Sequence, residues 1–332
     1  EIASCLVGSE MCIRDRLKET LPKALILIIA GNHDSGERLE FPRELLEKEG
    51  VFIAGLPPRE TDEKIRKVTM TDPAGEVCFY LLPFTKPSHL RKKYEEEKID
   101  SYEDAVKKLL EEEEIDTTKR NVLLSHQFYL SGGSEPLTCD SEIRMAGGID
   151  EIDTRLLEDF DYVALGHIHR AQRIGKGQCY YSGTPLKYSV SEASHEKSFQ
   201  IVELGEKGQE PVVRKKQLKP LRELCVLRGT LQEVLEQREH AKDFVSITLT
   251  DEEEPYMPKE QLELVFDHIL EIRIDNERTR RILDLYEEEE ETESLFESFA
   301  SFFETVQGRS MNEAEQEAAQ DAWNEIIEGG AE

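Results

Sequence analysis

The sequence predicts a layered α/β domain, followed by a small α+β domain and a C-terminal helical pair. Three observations carry this. Strand-like apolar runs alternate with helical patterns through the first two thirds of the chain. Three of those runs end in polar loops that contain histidine. The composition then shifts twice, first at a linker-like stretch and again where acidic residues crowd together.

At 332 residues and 38% hydrophobic content, the chain is long enough for two or three domains with a sizeable core. No apolar run has the length of a membrane span, and nothing resembles a secretory signal, so a cytoplasmic location with no membrane partner is expected. Six cysteines lie scattered without a C-x-x-C pair. That spacing argues for reduced thiols and against a zinc knuckle or a disulfide framework. The formal charge of −29 opposes nucleic acid at first sight. From Glu287 onward, however, 15 acidic residues face one basic residue, Arg309, so about half the charge sits in the tail. A local basic groove elsewhere is compatible with that distribution.

Residues 1–16, EIASCLVGSEMCIRDR, show no period, no cap and no link to the helix-like LKETL after them. They resemble a translated sequencing-adapter remnant and are expected to be non-native, with native sequence upstream. The α/β domain is expected over 17–205. ALILIIA is a buried strand that stops at Gly31-Asn32-His33-Asp34. GERLEFPRELLEKEG reads as a helix interrupted by proline, and VFIAGL as a short strand. KIRKVTMTDPAGEVCFYLLPF is two alternating runs about a Pro-Ala-Gly turn, the signature of a hairpin. Residues 92–114 are charged and helical, with Tyr94, Ala105, Val106, Leu109 and Leu110 as an apolar stripe. RNVLLSHQF and DYVALGHIH are two more strands with polar ends, and KSFQIVEL another. Residues 206–220 read as a linker, and 221–286 as the small second domain with strands around a helix. The acidic remainder, 287–332, carries two amphipathic helices. The first has Leu295, Phe296, Phe299, Phe302, Phe303 and Val306 on one face. The second starts at a Ser310–Glu313 capping box and presents Trp323 among its apolar residues.

The polar strand ends gather Asn32, His33 and Asp34, then His126, then His167 and His169. Imidazole nitrogens with an amide oxygen suit manganese, iron or zinc. In an extended chain residues two apart share a side, so His167 and His169 can serve one metal cluster. Gly31 and Gly166 let backbone approach closely. Each histidine alone has an ordinary structural explanation; three strand ends converging do not. A metal site follows from the combination.

GNHD, SHQF and GHIH, in that order, resemble motifs of the calcineurin-like metallophosphoesterases. With YYSGTPLKYSVSE and the VSITLTDEE and ILEIRI strands, the chain is similar to the SbcD type of DNA nuclease subunits from about Leu17 to Ile327. The resemblance implies an αββα sandwich with a small capping domain and two Mn²⁺ ions. Asn32, His126 and His167 would hold the second ion and His169 would reach the first. His33, paired with Asp34, would stabilise the transition state and protonate the leaving oxygen. It further implies 3′–5′ exonuclease action on duplex ends, endonuclease action on single strands and hairpins, and roles in DNA repair, recombination and replication. An SbcC-like ABC-type ATPase would dock on the tail helices through Leu295, Phe296, Phe299, Phe302, Phe303 and Trp323, within a heterotetramer built on a homodimer. Folding back of the tail helices on the second domain is the alternative. Arg38 and Arg170 are candidate DNA contacts, and LRKKY at 90–94 is a short basic patch. The family's D-x-H and G-D motifs have no counterpart ahead of the first strand, so weak metal binding and little activity are expected of this polypeptide. A phosphatase or small phosphodiesterase of the same superfamily, or a non-catalytic scaffold, are the alternatives.

Overall fold

The computed structural model describes residues 12–95, 98–132, 136–139, 150–253, 255–280 and 295–312, together with 314–316 and 318–320. The chain divides into two units, Glu1–Leu221 and Arg222–Glu332. No helix among the described residues is long and apolar enough to cross a membrane.

The first unit is built on a six-stranded mixed sheet. Its strands are β3 (Arg66–Asp72), β4 (Gly75–Leu82), β5 (Arg120–His126), β8 (Tyr162–Gly166), β9 (Gln172–Ile174) and β10 (Cys179–Tyr181), in the order β3-β4-β5-β8-β10-β9. The expected hairpin is β3–β4, and β4, β5, β8 and β10 run parallel. Two short strands, β6 (Phe128–Leu130) and β7 (Glu151–Asp153), pair beside it. Alternation along β4 divides the core. Cys78, Tyr80 and Leu82 face helix α4 (Tyr102–Glu111), which buries Tyr102, Ala105, Val106, Leu109 and Leu110. Each large apolar side chain buried this way contributes about 1.5–3 kcal/mol. On the opposite face, Leu81 and Val68 meet the parallel pair β1 (Ile26–Ile29) and β2 (Val51–Ala54). Val77 and Val122 meet Val202 and Val213 of the hairpin β11 (Ser198–Glu203) and β12 (Val212–Gln217).

Several local expectations change. A helical run at 12–20, α1, crosses position 16 without a break, while 1–11 lie outside the described residues. The proline-interrupted helix is two short ones, α2 (Gly36–Glu40) and α3 (Arg43–Glu47), separated at Pro42. Helix α4 begins only at Tyr102, where Ser101 accepts from the Asp104 N–H at 3.0 Å and sets the start. Tyr94 still joins the core from a turn. Six of the fifteen residues read as a linker form β12. Only Val213 among its six residues is half-buried and the rest are exposed, so its composition resembles a connector.

The second unit has three strands, β13 (Leu224–Gly229), β14 (Phe244–Leu249) and β15 (His268–Ile274), all parallel in that order. Helices α5 (Leu231–Glu236) and α6 (Pro258–Glu263) connect them and close over Leu227, Val245, Ile247 and Leu249 with Leu231, Val234, Leu262 and Phe266. This is a β-α-β-α-β arrangement and corrects the α+β expectation, since parallel neighbours require a crossover and each helix supplies one. Helix α7 (Leu295–Gln307) carries Phe299, Phe302 and Val306 exposed, with Arg309 over the Phe303 ring at 5.5 Å. The side chains of Leu295 and Phe296, and Trp323 altogether, lie outside the described residues. The following helical turns start two residues later than expected, because Asn312 and Glu315 form the capping box: Asn312 Oδ1 accepts from the Glu315 N–H at 3.0 Å and Glu315 Oε2 from the Asn312 N–H at 2.9 Å.

Candidate metal centre

Parallel strands of one sheet end on the same side, and ligands gather at that edge. Here β5 ends in His126, which pairs in register with Gly166 at the end of β8. The chain leaving β1 is tied to the same edge, because Phe84, two residues beyond β4, donates its N–H to the Ala30 carbonyl at 2.9 Å. Asn32, His33, Asp34, His126, His167 and His169 therefore line one cleft, together with Gly31, Gly166, Gly183 and Thr184. All six of the metal-site and catalytic residues read from the sequence meet there.

His126 is held by what its neighbours lack. A Cβ on Gly31 would lie 2.6 Å from its Cε1, and one on Gly166 would lie 2.6 Å from its Nδ1. Any side chain at either position would displace the ring. Nε2 of His126 lies 3.0 Å from Oδ1 of Asn32, so the two donors already converge. Burial, reinforced by the charges of His167, His33 and His169, lowers the His126 pKa to about 3. The imidazole is thus neutral, as a metal ligand must be. His167 sits edge-on to His126 with ring centroids 5.4 Å apart and stacks on Phe84 at 6.4 Å. Its φ of 94° is a conformation that costs a non-glycine residue about 1–3 kcal/mol, a cost that the packing of Phe84 and Phe128 around its ring must hold in place.

His169 is positioned by charge instead. Its Nδ1 donates to Oε1 of Glu192 at 3.0 Å, and the carboxylate is wholly buried. Lys197, also buried, pairs with Oε2 of Glu192 and donates to the His169 carbonyl at 3.1 Å and to Thr184 Oγ1 at 2.7 Å. A carboxylate behind a histidine fixes its tautomer and raises its basicity, the common arrangement behind metal-bound imidazole. Cys139 brings its sulfur within 4.8 Å of the same His169 and Glu192 atoms. Sequence reasoning missed Glu192 and Lys197. The only signal was their place in and just after the YYSGTPLKYSVSE segment.

A second buried support lies under His126. Tyr181 Oη accepts from the Tyr129 N–H at 2.7 Å and donates to the Gln127 carbonyl at 2.9 Å, while Tyr129 Oη meets Ser125 Oγ at 2.9 Å. Asp34 departs from expectation. Its Oδ2 accepts from the Gly31 N–H at 2.7 Å, closing the loop rather than bonding to His33, and both residues are exposed. Arg38 and Arg170 are exposed and do not line the cleft; Arg170 borders a separate depression with His195 and Lys215. The LRKKY patch is occupied internally: Lys92 pairs with Glu60, and buried Lys93 pairs with Glu112 at 2.8 Å and donates to the Glu63 carbonyl at 2.8 Å.

In donor chemistry the cleft fits a divalent transition metal: an amide oxygen and imidazole nitrogens on a half-buried edge. A family model for the SbcD C-terminal domain, described as the type 5 capsule protein repressor C-terminal domain, matches residues 220–307. The SbcD subunit of the SbcCD nuclease from Staphylococcus epidermidis is 30% identical over 256 residues, 75% of this chain and 64% of that protein. Its counterpart from Staphylococcus saprophyticus subsp. saprophyticus is 30% identical over 223 residues, 65% of this chain and 55% of that protein. The chain thus spans less than two thirds of the length of these relatives.

Proposed function

This chain is of the SbcD type, and from that premise we propose that its cleft is the metal centre of a DNA nuclease subunit with an αββα metallophosphoesterase sandwich. The observation that carries the reading is the convergence of Asn32 and His126 at 3.0 Å inside a cradle that only glycine permits. Asn32, His126 and His167 would hold one Mn²⁺ ion, and His169, oriented by Glu192, would serve a second. When bound, the ions would lower the pKa of water and offset the charge that develops on a phosphodiester.

The residues of the chain do the remaining work. His33, exposed at the cleft, would protonate a leaving oxygen, a contribution of roughly 10²–10⁴-fold. Asp34 acts on it indirectly, by closing the Gly31–Asp34 turn that presents the imidazole. Phe84 and Phe128 exclude water from one side of His167. Arg38 and Arg170 are proposed to meet DNA phosphates outside the cleft. The second unit is proposed as the capping domain. The exposed Phe299, Phe302 and Val306 face of α7 is proposed to dock on an SbcC-like ATPase, within a heterotetramer.

Among the described residues of the cleft the carboxylates are already committed, Glu192 to Lys197 and His169, and Asp34 to the Gly31 N–H. This polypeptide by itself should therefore hold Mn²⁺ weakly and cleave DNA slowly. The test is Mn²⁺ calorimetry alongside cleavage of a linear duplex, a DNA hairpin and a small phosphomonoester. Weak uptake that disappears in His126→Ala, with residual cleavage confined to DNA, is expected. Preference for the monoester would favour the phosphatase reading, and rapid DNA turnover would refute the argument from the donor set.

A further inference from the structure

A second cluster of ligand-type side chains lies entirely within the second unit, on elements that contribute nothing to the histidine cleft. Cys225 is the second residue of β13. His240 ends a short 3₁₀ turn (Arg238–His240), and Asp243 immediately precedes β14. The backbone fixes all three. Phe244 donates its N–H to the Glu223 carbonyl at 2.8 Å, and Asp243 donates its own to the His240 carbonyl at 3.0 Å. Cys225 Sγ lies 3.4 Å from His240 Nδ1, Nδ1 lies 3.1 Å from Asp243 Oδ2, and Sγ lies 3.9 Å from Oδ2.

The pattern is not that of a proton relay, which would use the two ring nitrogens for two partners. Sulfur, nitrogen and carboxylate oxygen form a closed triangle, with the thiol facing both Nδ1 and Oδ2, and Nδ1 alone offers one proton or one lone pair, not both. Three donors aimed at one point are what a metal ion requires. Tetrahedral zinc, with bonds of about 2.3 Å to sulfur and about 2.0–2.2 Å to nitrogen and oxygen, separates its ligand atoms by about 3.3–3.6 Å. The three distances here bracket that range. We propose that Cys225, His240 and Asp243 form a site for a thiolate-preferring divalent transition metal, Zn²⁺ foremost, with the fourth position open to water.

Two further features agree. Oδ1 of Asp243 accepts from the Glu223 N–H at 3.0 Å, which orients the carboxylate and presents Oδ2 to the cluster, as outer partners of metal ligands do. The side chains of His240 and Asp243 are 33% and 24% exposed, so an ion and its water can reach the site. A thiolate with imidazole and carboxylate selects zinc over the harder ions. Bound there, the ion would tie the 3₁₀ turn to the amino end of β13. The site is independent of the reading given to the cleft.

The experiment is a Co²⁺ titration of the full chain, followed by its thiolate-to-cobalt charge-transfer absorption, with Zn²⁺ added afterwards in competition. The wild type should show the band, and Zn²⁺ should abolish it. Cys225→Ser should lose it, while Cys139→Ser, which alters the sulfur nearest His169, should keep it. Asp243→Asn retains the Glu223 hydrogen bond at Oδ1 and should weaken Co²⁺ binding about tenfold or more. Zn²⁺ should also raise the melting temperature of the wild type and leave that of Cys225→Ser unchanged. A band that survives Cys225→Ser, or a wild type with no thiolate band at millimolar Co²⁺, overturns the proposal.

Discussion

The two sides of the cleft orient their histidines by opposite means. His126 is placed by packing: two glycines leave room for its ring, and burial keeps it neutral. His169 is placed by charge, through a buried carboxylate that is itself held by a buried lysine. The difference determines what each side tolerates. A packed ring fails when a neighbour grows. A charge-held ring fails when a partner is removed, because the remaining ion is left buried without compensation.

The largest effect should follow from Glu192→Ala, which strands Lys197 in the core. A loss of about 3–5 kcal/mol is expected in urea denaturation. The double variant Glu192→Gln, Lys197→Met should recover most of that stability yet still bind metal poorly, since His169 has lost its orienting carboxylate. Equal recovery of stability and metal binding would show that the pair is merely structural. Gly166→Ala comes next. Its new Cβ would clash with the His126 ring, so a cost of about 1–3 kcal/mol is expected, with loss of Mn²⁺ uptake. Unchanged uptake would break the packing side of the comparison. Tyr181→Phe removes a buried hydroxyl that serves both the Tyr129 N–H and the Gln127 carbonyl, and should cost about 1–3 kcal/mol. Asp34→Asn should be the mildest. The amide oxygen can still accept from the Gly31 N–H, so stability should move by less than about 0.5 kcal/mol. A large shift in the pH profile of cleavage would instead restore a direct partnership with His33.

The same contrast explains what could be read from the sequence. An apolar run that stops at a polar cluster marks a strand and its polar edge together, so the meeting of Asn32, His126, His167 and His169 at one edge was legible from their order, although His167 lies beyond β8 with a φ of 94° and not in the extended chain expected of the H-x-H pair. Gly31 and Gly166 were legible as sites of close approach, though not as the two walls around one ring. Glu192 was not legible. It lies 23 residues beyond His169 in a short 3₁₀ turn, in a chain rich in acidic residues, and nothing local distinguishes a buried glutamate from a solvated one. Strand β12 was hidden because it turns one half-buried side chain inward and charges outward. The parallel order of β13, β14 and β15 depends on which strands pair, and pairing is not encoded in any single window. The LRKKY patch carried little weight for a related reason. A local run of lysines does not reveal that Glu60 and Glu112 neutralise it.

Whether Asn32 and the strand-end histidines hold a metal is decided by equilibrium dialysis against Mn²⁺. Wild type, His126→Ala and Asn32→Ala would be compared by elemental analysis, with circular dichroism as the control for folding. Weak but saturable uptake is expected of the wild type, and none above background in either variant. Equal uptake by wild type and a folded His126→Ala protein would contradict a strand-end site, and would place any bound metal elsewhere in the chain.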